Sequence, residues 1–147
     1  MREDVLIRAL IHAGLATDYD VIRVLDSRLP HLPDPSWNVD RKHHTGTYPE
    51  TFKEVWGTVR DRWLKDFIWM YKDALSEAHK KNAKRVIFFF YCKSGHHRSV
   101  ALAYGMQHLL EATHGCLRPK VINTCEELWW TDCGHCKEPH ACIYAHP

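Results

Sequence analysis

Between Cys92 and Ser99 the chain reads Cys-Lys-Ser-Gly-His-His-Arg-Ser, placing a thiol, two hydroxyls, two imidazoles and two permanent cations within eight residues. Such a collection of donors suits an oxyanion. Arg98 can fork onto a phosphate through two parallel N–H donors, while Lys93, Ser94, His96 and His97 supply further ones. Gly95, lacking a Cβ, lets the backbone come close to a ligand. A helix starting near Ser99 would turn its unsatisfied N–H groups and the positive end of its dipole towards the same point.

The spacing Cys-x5-Arg-Ser also resembles the signature loop of cysteine-dependent phosphatases. In that chemistry the helix end and Arg98 would favour the thiolate of Cys92, which then attacks phosphorus. A proton donor for the leaving oxygen is also required. Asp34, in a proline-rich loop, and Asp26 are the available acids, although neither lies in a Trp-Pro-Asp sequence. On this reading Cys92, Arg98 and Asp34 are the catalytic residues.

A second cluster lies at the C-terminal end. Cys133 and Cys136 have knuckle spacing, and with Cys125 and one of His140, Cys142 or His146 they make a set able to hold zinc tetrahedrally. With four protein ligands the zinc would be structural, anchoring a segment too short to bury itself, and ligand binding elsewhere would not require it. The alternatives are a thiol–disulfide pair in Cys133-Gly134-His135-Cys136 and unpaired cysteines. Cys116, after a helix end, reads as a small buried hydrophobe.

The elements that must position these residues follow from periodicity. Val5–His12 fits a strand or a short helix, and its β-branched residues with Ala13-Gly14 favour the strand. Val21–Leu25 is a strand ending in Asp26-Ser27-Arg28, and Pro30, Pro33 and Pro35 make the next segment irregular. Thr47-Tyr48-Pro49-Glu50 reads as a capping box. It opens a helix whose stripe Phe52, Trp56, Val59, Trp63, Phe67, Met70, Ala74 and Ala78 reaches about Lys80, with a break expected at Gly57. The tryptophans read as core, and Lys80–Arg85 as a solvated helix end. Val86–Tyr91 is a continuous apolar strand of the kind buried on both faces of a parallel sheet. Ser99–Thr113 is a helix capped at His114-Gly115, and Val121–Asn123 a short strand. The expected fold is therefore α/β. It is a single layered domain with a mostly parallel sheet and a strand–phosphate loop–helix unit, spanning 1–128, with a Cys/His-rich tail at 129–147 packed on it.

Composition narrows the class. With 147 residues, 45% of them apolar, the chain can bury a core, and no apolar run approaches 18 residues. Arg8 interrupts the only N-terminal stretch resembling a leader, so a cytoplasmic protein without membrane association is expected. Six cysteines in such a chain read as thiols or metal ligands rather than disulfides. A formal charge of +2 gives RNA binding little support, although 12 histidines add charge at mildly acidic pH.

Three segments in order carry a family resemblance: Asp26-Ser27-Arg28-Leu29-Pro30-His31-Leu32-Pro33-Asp34-Pro35, then Thr45-Gly46, then Cys92–Ala103. They resemble the C-terminal domain of the RNase adapter RapZ family. Its members carry an Asp-x-Arg-x-Leu-Pro-x-Pro-like segment, a Thr-Gly, and a strand ending in Gly-Cys-Thr-Gly-Gly-x-His-Arg-Ser-Val. The resemblance spans residues 5 to about 128 and implies a sugar-phosphate-sensing regulatory domain; bacterial members bind glucosamine-6-phosphate and a small RNA. Carried over, the ligand loop falls on Cys92, Gly95, His97, Arg98 and Ser99, with Asp26, Arg28, Thr45 and Gly46 lining the same pocket. Lys93 and Ser94 replace the family's Thr-Gly, and Cys125-Glu126-Glu127-Leu128 stands where the family tends to have His-Arg-Asp-Leu. No Gly-x4-Gly-Lys-Ser/Thr occurs. The readings to be separated are a phosphate-ligand-binding regulatory domain, a cysteine phosphatase, and an RNA-binding adapter module.

Overall fold

The computed structural model describes residues 3–30, 32–33, 44–92, 97–115 and 117–124. Along them run α1 (Glu3–His12), β1 (Val21–Asp26), α2 (Pro49–Arg62), α3 (Leu64–Lys81), β2 (Val86–Tyr91) and α4 (Arg98–Thr113). The fold is α/β. The chain divides into two compact units, Met1–Leu25 with Leu64–Phe89, and Asp26–Trp63 with Phe90–Pro147.

β1 and β2 pair as the two strands of one sheet. The amide of Val21 donates to the Arg85 carbonyl (3.0 Å) and that of Ser27 to the Tyr91 carbonyl (2.7 Å). Both partners advance in the same direction, so the strands are parallel, and Val21 lies beside Val86 and Asp26 beside Tyr91. Alternation then assigns the two faces. Ile22, Val24, Ile87 and Phe89 pack with Ile7, Leu10 and Ile11 of α1, whereas Val21, Val86 and Phe88 pack with Ala74 and Ala78 of α3. Helices therefore cover both faces of the sheet in the first unit. Full burial was expected for β2, yet all six of its residues are half-buried. Among the described residues the sheet is only two strands wide, which leaves the flanks of each side chain uncovered.

Val5–His12 belongs to a helix, not a strand. Glu3 and Asp4 occupy its first turn, Asp4 faces Arg8 one turn on (3.8 Å), and Ile7, Leu10 and Ile11 form its apolar face. Gly14 (φ 78°) ends it in a Schellman motif, with Leu15 N–H donating to the Leu10 carbonyl and Gly14 N–H to that of Ile11. Asn82 (φ 53°) ends α3 in the same way, through Ala83 to Ala78 and Asn82 to His79.

The long helix breaks at Trp63, not at Gly57. In α2 the buried residues are Thr51, Phe52, Val55 and Val59; in α3 they are Phe67, Tyr71, Ala74 and Ala78. The first set lies in the second unit and the second in the first, so the backbone turns where the partner changes. Gly57 is helical, and a Cβ there would meet only the Arg60 guanidinium, at 3.9 Å. Thr47 is not the α2 cap either. Proline at the first helical position holds the preceding residue extended, which makes Tyr48 (φ −58°, ψ 128°) the cap residue, with no side-chain cap bond.

In the second unit α2 packs on α4, where the Trp56 ring lies directly on Gly105 and the Phe52 ring meets His108 edge-on at 6.1 Å. Val55 and Val59 are wholly buried, worth roughly 1.5–3 kcal/mol each by transfer. Residues 117–124 run along α4, where Gln107 donates to the Pro119 carbonyl (3.2 Å) and Asn123 to the Tyr104 hydroxyl (3.0 Å). They form no strand, which corrects the expectation for Val121–Asn123; the segment is tied to α4 by those two bonds instead. Among the described residues no helix is long and apolar enough to cross a membrane.

Candidate anion-binding site

All the described site candidates belong to the second unit. β2 ends at Tyr91, and Cys92 follows it half-buried. After residues 93–96 the chain re-enters as α4, with His97 (φ −114°, ψ −77°) as cap residue and its carbonyl accepting from Ala101 (2.9 Å). Its cap has no side-chain hydrogen bond, so the first-turn amides are not consumed in that way. Ser99 turns back to β2, and its Oγ stands 3.2 Å from Cys92 Sγ. The thiol thus sits at the start of α4. His97 and Ser99 are buried and Arg98 is half-buried.

The Thr45-Gly46-Thr47 turn rests on this helix end. A Cβ on Gly46 would run into the His97 carbonyl and the Ala101 amide, both backbone atoms of the α4 start. Only glycine allows that approach. Thr45 and Thr47, both buried, join their hydroxyls at 2.8 Å, and the His44 and Tyr48 rings stack at 3.8 Å with 11° between planes. The turn is therefore fixed from within and from its flanks.

Asp26 and Arg28 stand at the carboxyl end of β1. Asp26 Oδ1 accepts the Arg28 amide (3.0 Å) and Nε (2.9 Å), and Oδ2 accepts Nη2 (2.6 Å). The guanidinium holds the Asp26 carboxyl down at about 2, so this group is an ionised acceptor near neutral pH. The carboxyl that the sequence offered as a proton donor is here engaged by the Arg28 guanidinium. In return Asp26 orients Arg28 and raises its pKa. Asp26 lies on the Tyr91 side of the sheet, whereas the register places Ser27 beside Cys92 on the other.

The structure thus brings the ends of β1 and β2, the 45–47 turn and the α4 start into one unit. Thr47 joins them unforeseen; its place beside Thr45 was hidden by its apparent capping role. Asp34, Lys93, Ser94, Gly95 and His96 lie outside the described residues, as do Cys116 and the metal candidates Cys125, Cys133, Cys136, His140, Cys142 and His146. Among the described residues no cluster of three or more His, Cys, Asp or Glu side chains could hold a metal ion.

A family model described as the RapZ C-terminal domain matches residues 11–121. A nucleotide-binding protein of Mycolicibacterium smegmatis is 30% identical over 103 residues, which are 69% of this chain and 34% of that protein. The chain spans about a third of the length of that curated relative. No solved structure matches. With the matched segment containing the β1 end, the Thr-Gly turn, β2 and all of α4, the chain belongs to the RapZ C-terminal domain family.

Proposed function

We propose that this chain is a regulatory domain that binds a phosphorylated small molecule, of the sugar-phosphate class, over the Cys92–Ser99 loop. The observation that carries the reading is the docking of Gly46 on the α4 start, together with Cys92 at hydrogen-bonding distance from Ser99. Two family motifs distant in sequence thereby meet at a helix N-terminus, a place suited to an anion. Arg98 supplies the fork, and Arg28, held by Asp26, a second cation at the neighbouring strand end. The name of the mycobacterial relative fits a phosphorylated ligand.

The Cys92–Ser99 contact also favours a second reading, a phosphatase with Cys92 as nucleophile, because a hydroxyl beside sulfur stabilises a thiolate. One experiment addresses both. Wild type, Arg98→Ala and Cys92→Ser are titrated with glucosamine-6-phosphate by calorimetry and assayed for phosphate release. The binding reading expects Arg98→Ala to weaken affinity by about tenfold or more, the value of a charged hydrogen-bond pair. It also expects no release from any protein. Release that vanishes in Cys92→Ser selects the phosphatase, and unchanged affinity in Arg98→Ala removes the loop as the anion site.

A further inference from the structure

Ser27 was passed over in the sequence between two more conspicuous residues, Asp26 and Arg28. Its side chain is wholly buried (0% exposed), and its Oγ has no hydrogen-bond partner among the described residues. A buried hydroxyl left unsatisfied is costly, whereas alanine would fill almost the same space at no such cost. Its location gives the hydroxyl a use. The Ser27 amide bonds to the Tyr91 carbonyl, which continues the β1–β2 register by one residue and sets Ser27 beside Cys92. Neighbouring strands are about 4.8 Å apart, so the two residues stand side by side at the end of the sheet. Cys92 Sγ in turn lies 3.2 Å from Ser99 Oγ at the α4 start. Backbone register and the Cys92–Ser99 contact therefore set Ser27, Cys92 and Ser99 in a row across the carboxyl end of the sheet.

We propose that Ser27 Oγ is a ligand-contacting donor, at the inner end of this row, that hydrogen-bonds the bound phosphate. The inference rests on the anion reading of the Cys92–Ser99 loop and adds to it a residue and a direction: one phosphate oxygen reaches inward, towards β1. The unsatisfied hydroxyl in the ligand-free protein is then a donor held ready for that oxygen. Asp26 and Arg28, on the other side of the strand, handle the outer part of the ligand.

The test compares wild type, Ser27→Ala, Ser27→Cys and Arg98→Ala, measuring inorganic phosphate and glucosamine-6-phosphate affinity by calorimetry and the melting temperature of each free protein. Ser27→Ala should lose about tenfold in affinity for both probes while melting no lower than wild type, because it removes an unsatisfied group. Ser27→Cys, which keeps the shape but only a weak donor, should fall between, and it decides the matter if Ser27→Ala folds poorly. Wild-type affinity in the Ser27 variants, with affinity lost in Arg98→Ala, would overturn the role of Ser27 and leave the anion site standing. Failure of the wild type to bind either probe would overturn both.

Discussion

Gly46→Ala tests whether the Thr-Gly turn truly seats on α4. The added methyl would fall inside contact distance of the His97 carbonyl and the Ala101 amide. Both are backbone atoms in the first hydrogen-bonded turn of a helix, so neither can swing aside as a side chain would. Overpacking costs about 1–3 kcal/mol, and an obstacle made of backbone puts this site in the upper half of that range. For a chain of this size about 2–3 kcal/mol lowers the melting temperature by roughly 4–12 °C. Two other glycines serve as internal controls. Gly57→Ala places its methyl in near-open space on a helix and should stabilise by roughly 0.5–1 kcal/mol. Gly14→Ala meets no atom within 4 Å but must hold φ 78°, which costs about 1–2 kcal/mol. Urea unfolding followed by far-ultraviolet circular dichroism ranks the three, and phosphate titration of Gly46→Ala reports whether the displaced helix start still binds. If Gly46→Ala and Gly57→Ala unfold alike, the turn does not rest on α4, and the site as described falls with it.

Acid should weaken the fold in a defined window. Asp26 has its carboxyl held below the ordinary value, to about 2, by Arg28, so its contribution is complete above about pH 4 and is lost as pH falls towards 2. Asp26→Asn should therefore flatten the melting-temperature profile between pH 4 and 2; a profile parallel to that of wild type would refute the pairing. The cysteine-rich tail is expected to bring about one zinc per chain, measured by elemental analysis of the purified protein. Chelation should lower the melting temperature, and protein purified without metal, and indifferent to added zinc, would end that expectation.

Elements with one dominant local signal were legible in the sequence. Val86–Tyr91 admits only a strand, and Arg98–Thr113 only a helix. α1 was not, because Val-Leu-Ile-Arg-Ala-Leu-Ile-His satisfies both periods over so short a stretch. What would have decided it was Gly14, whose left-handed backbone closes a helix; it was read instead as the punctuation after a strand. The α2–α3 break was misplaced for a different reason. Gly57 is a weak helix former, but its cost of about 1 kcal/mol is easily outweighed by the packing of Phe52, Val55 and Val59, whereas a change of packing partner at Trp63 leaves no local mark. At the candidate site, residue types and motif order singled out Thr45-Gly46 and Cys92–Ser99. Local pattern could not reveal that Gly46 serves by close approach, that Asp26 is committed to Arg28, or that Ser27 adjoins Cys92. Those facts depend on strand register and on contacts tens of residues apart.

The pairing of β1 with β2 also sets a clock. Arg85 binds Asp20 across 65 positions, and the strands that follow each of them can meet only once the chain between them has been made. At a ribosomal pace of about 5–20 residues per second, β1 waits roughly 3–13 s for its neighbour. During that wait its edge is open, and when β2 appears it does so as Val-Ile-Phe-Phe-Phe-Tyr, a run with the character of an aggregation nucleus. The early α1, already able to cover Ile22 and Val24, shields one face of the nascent strand but leaves that edge to be closed by β2.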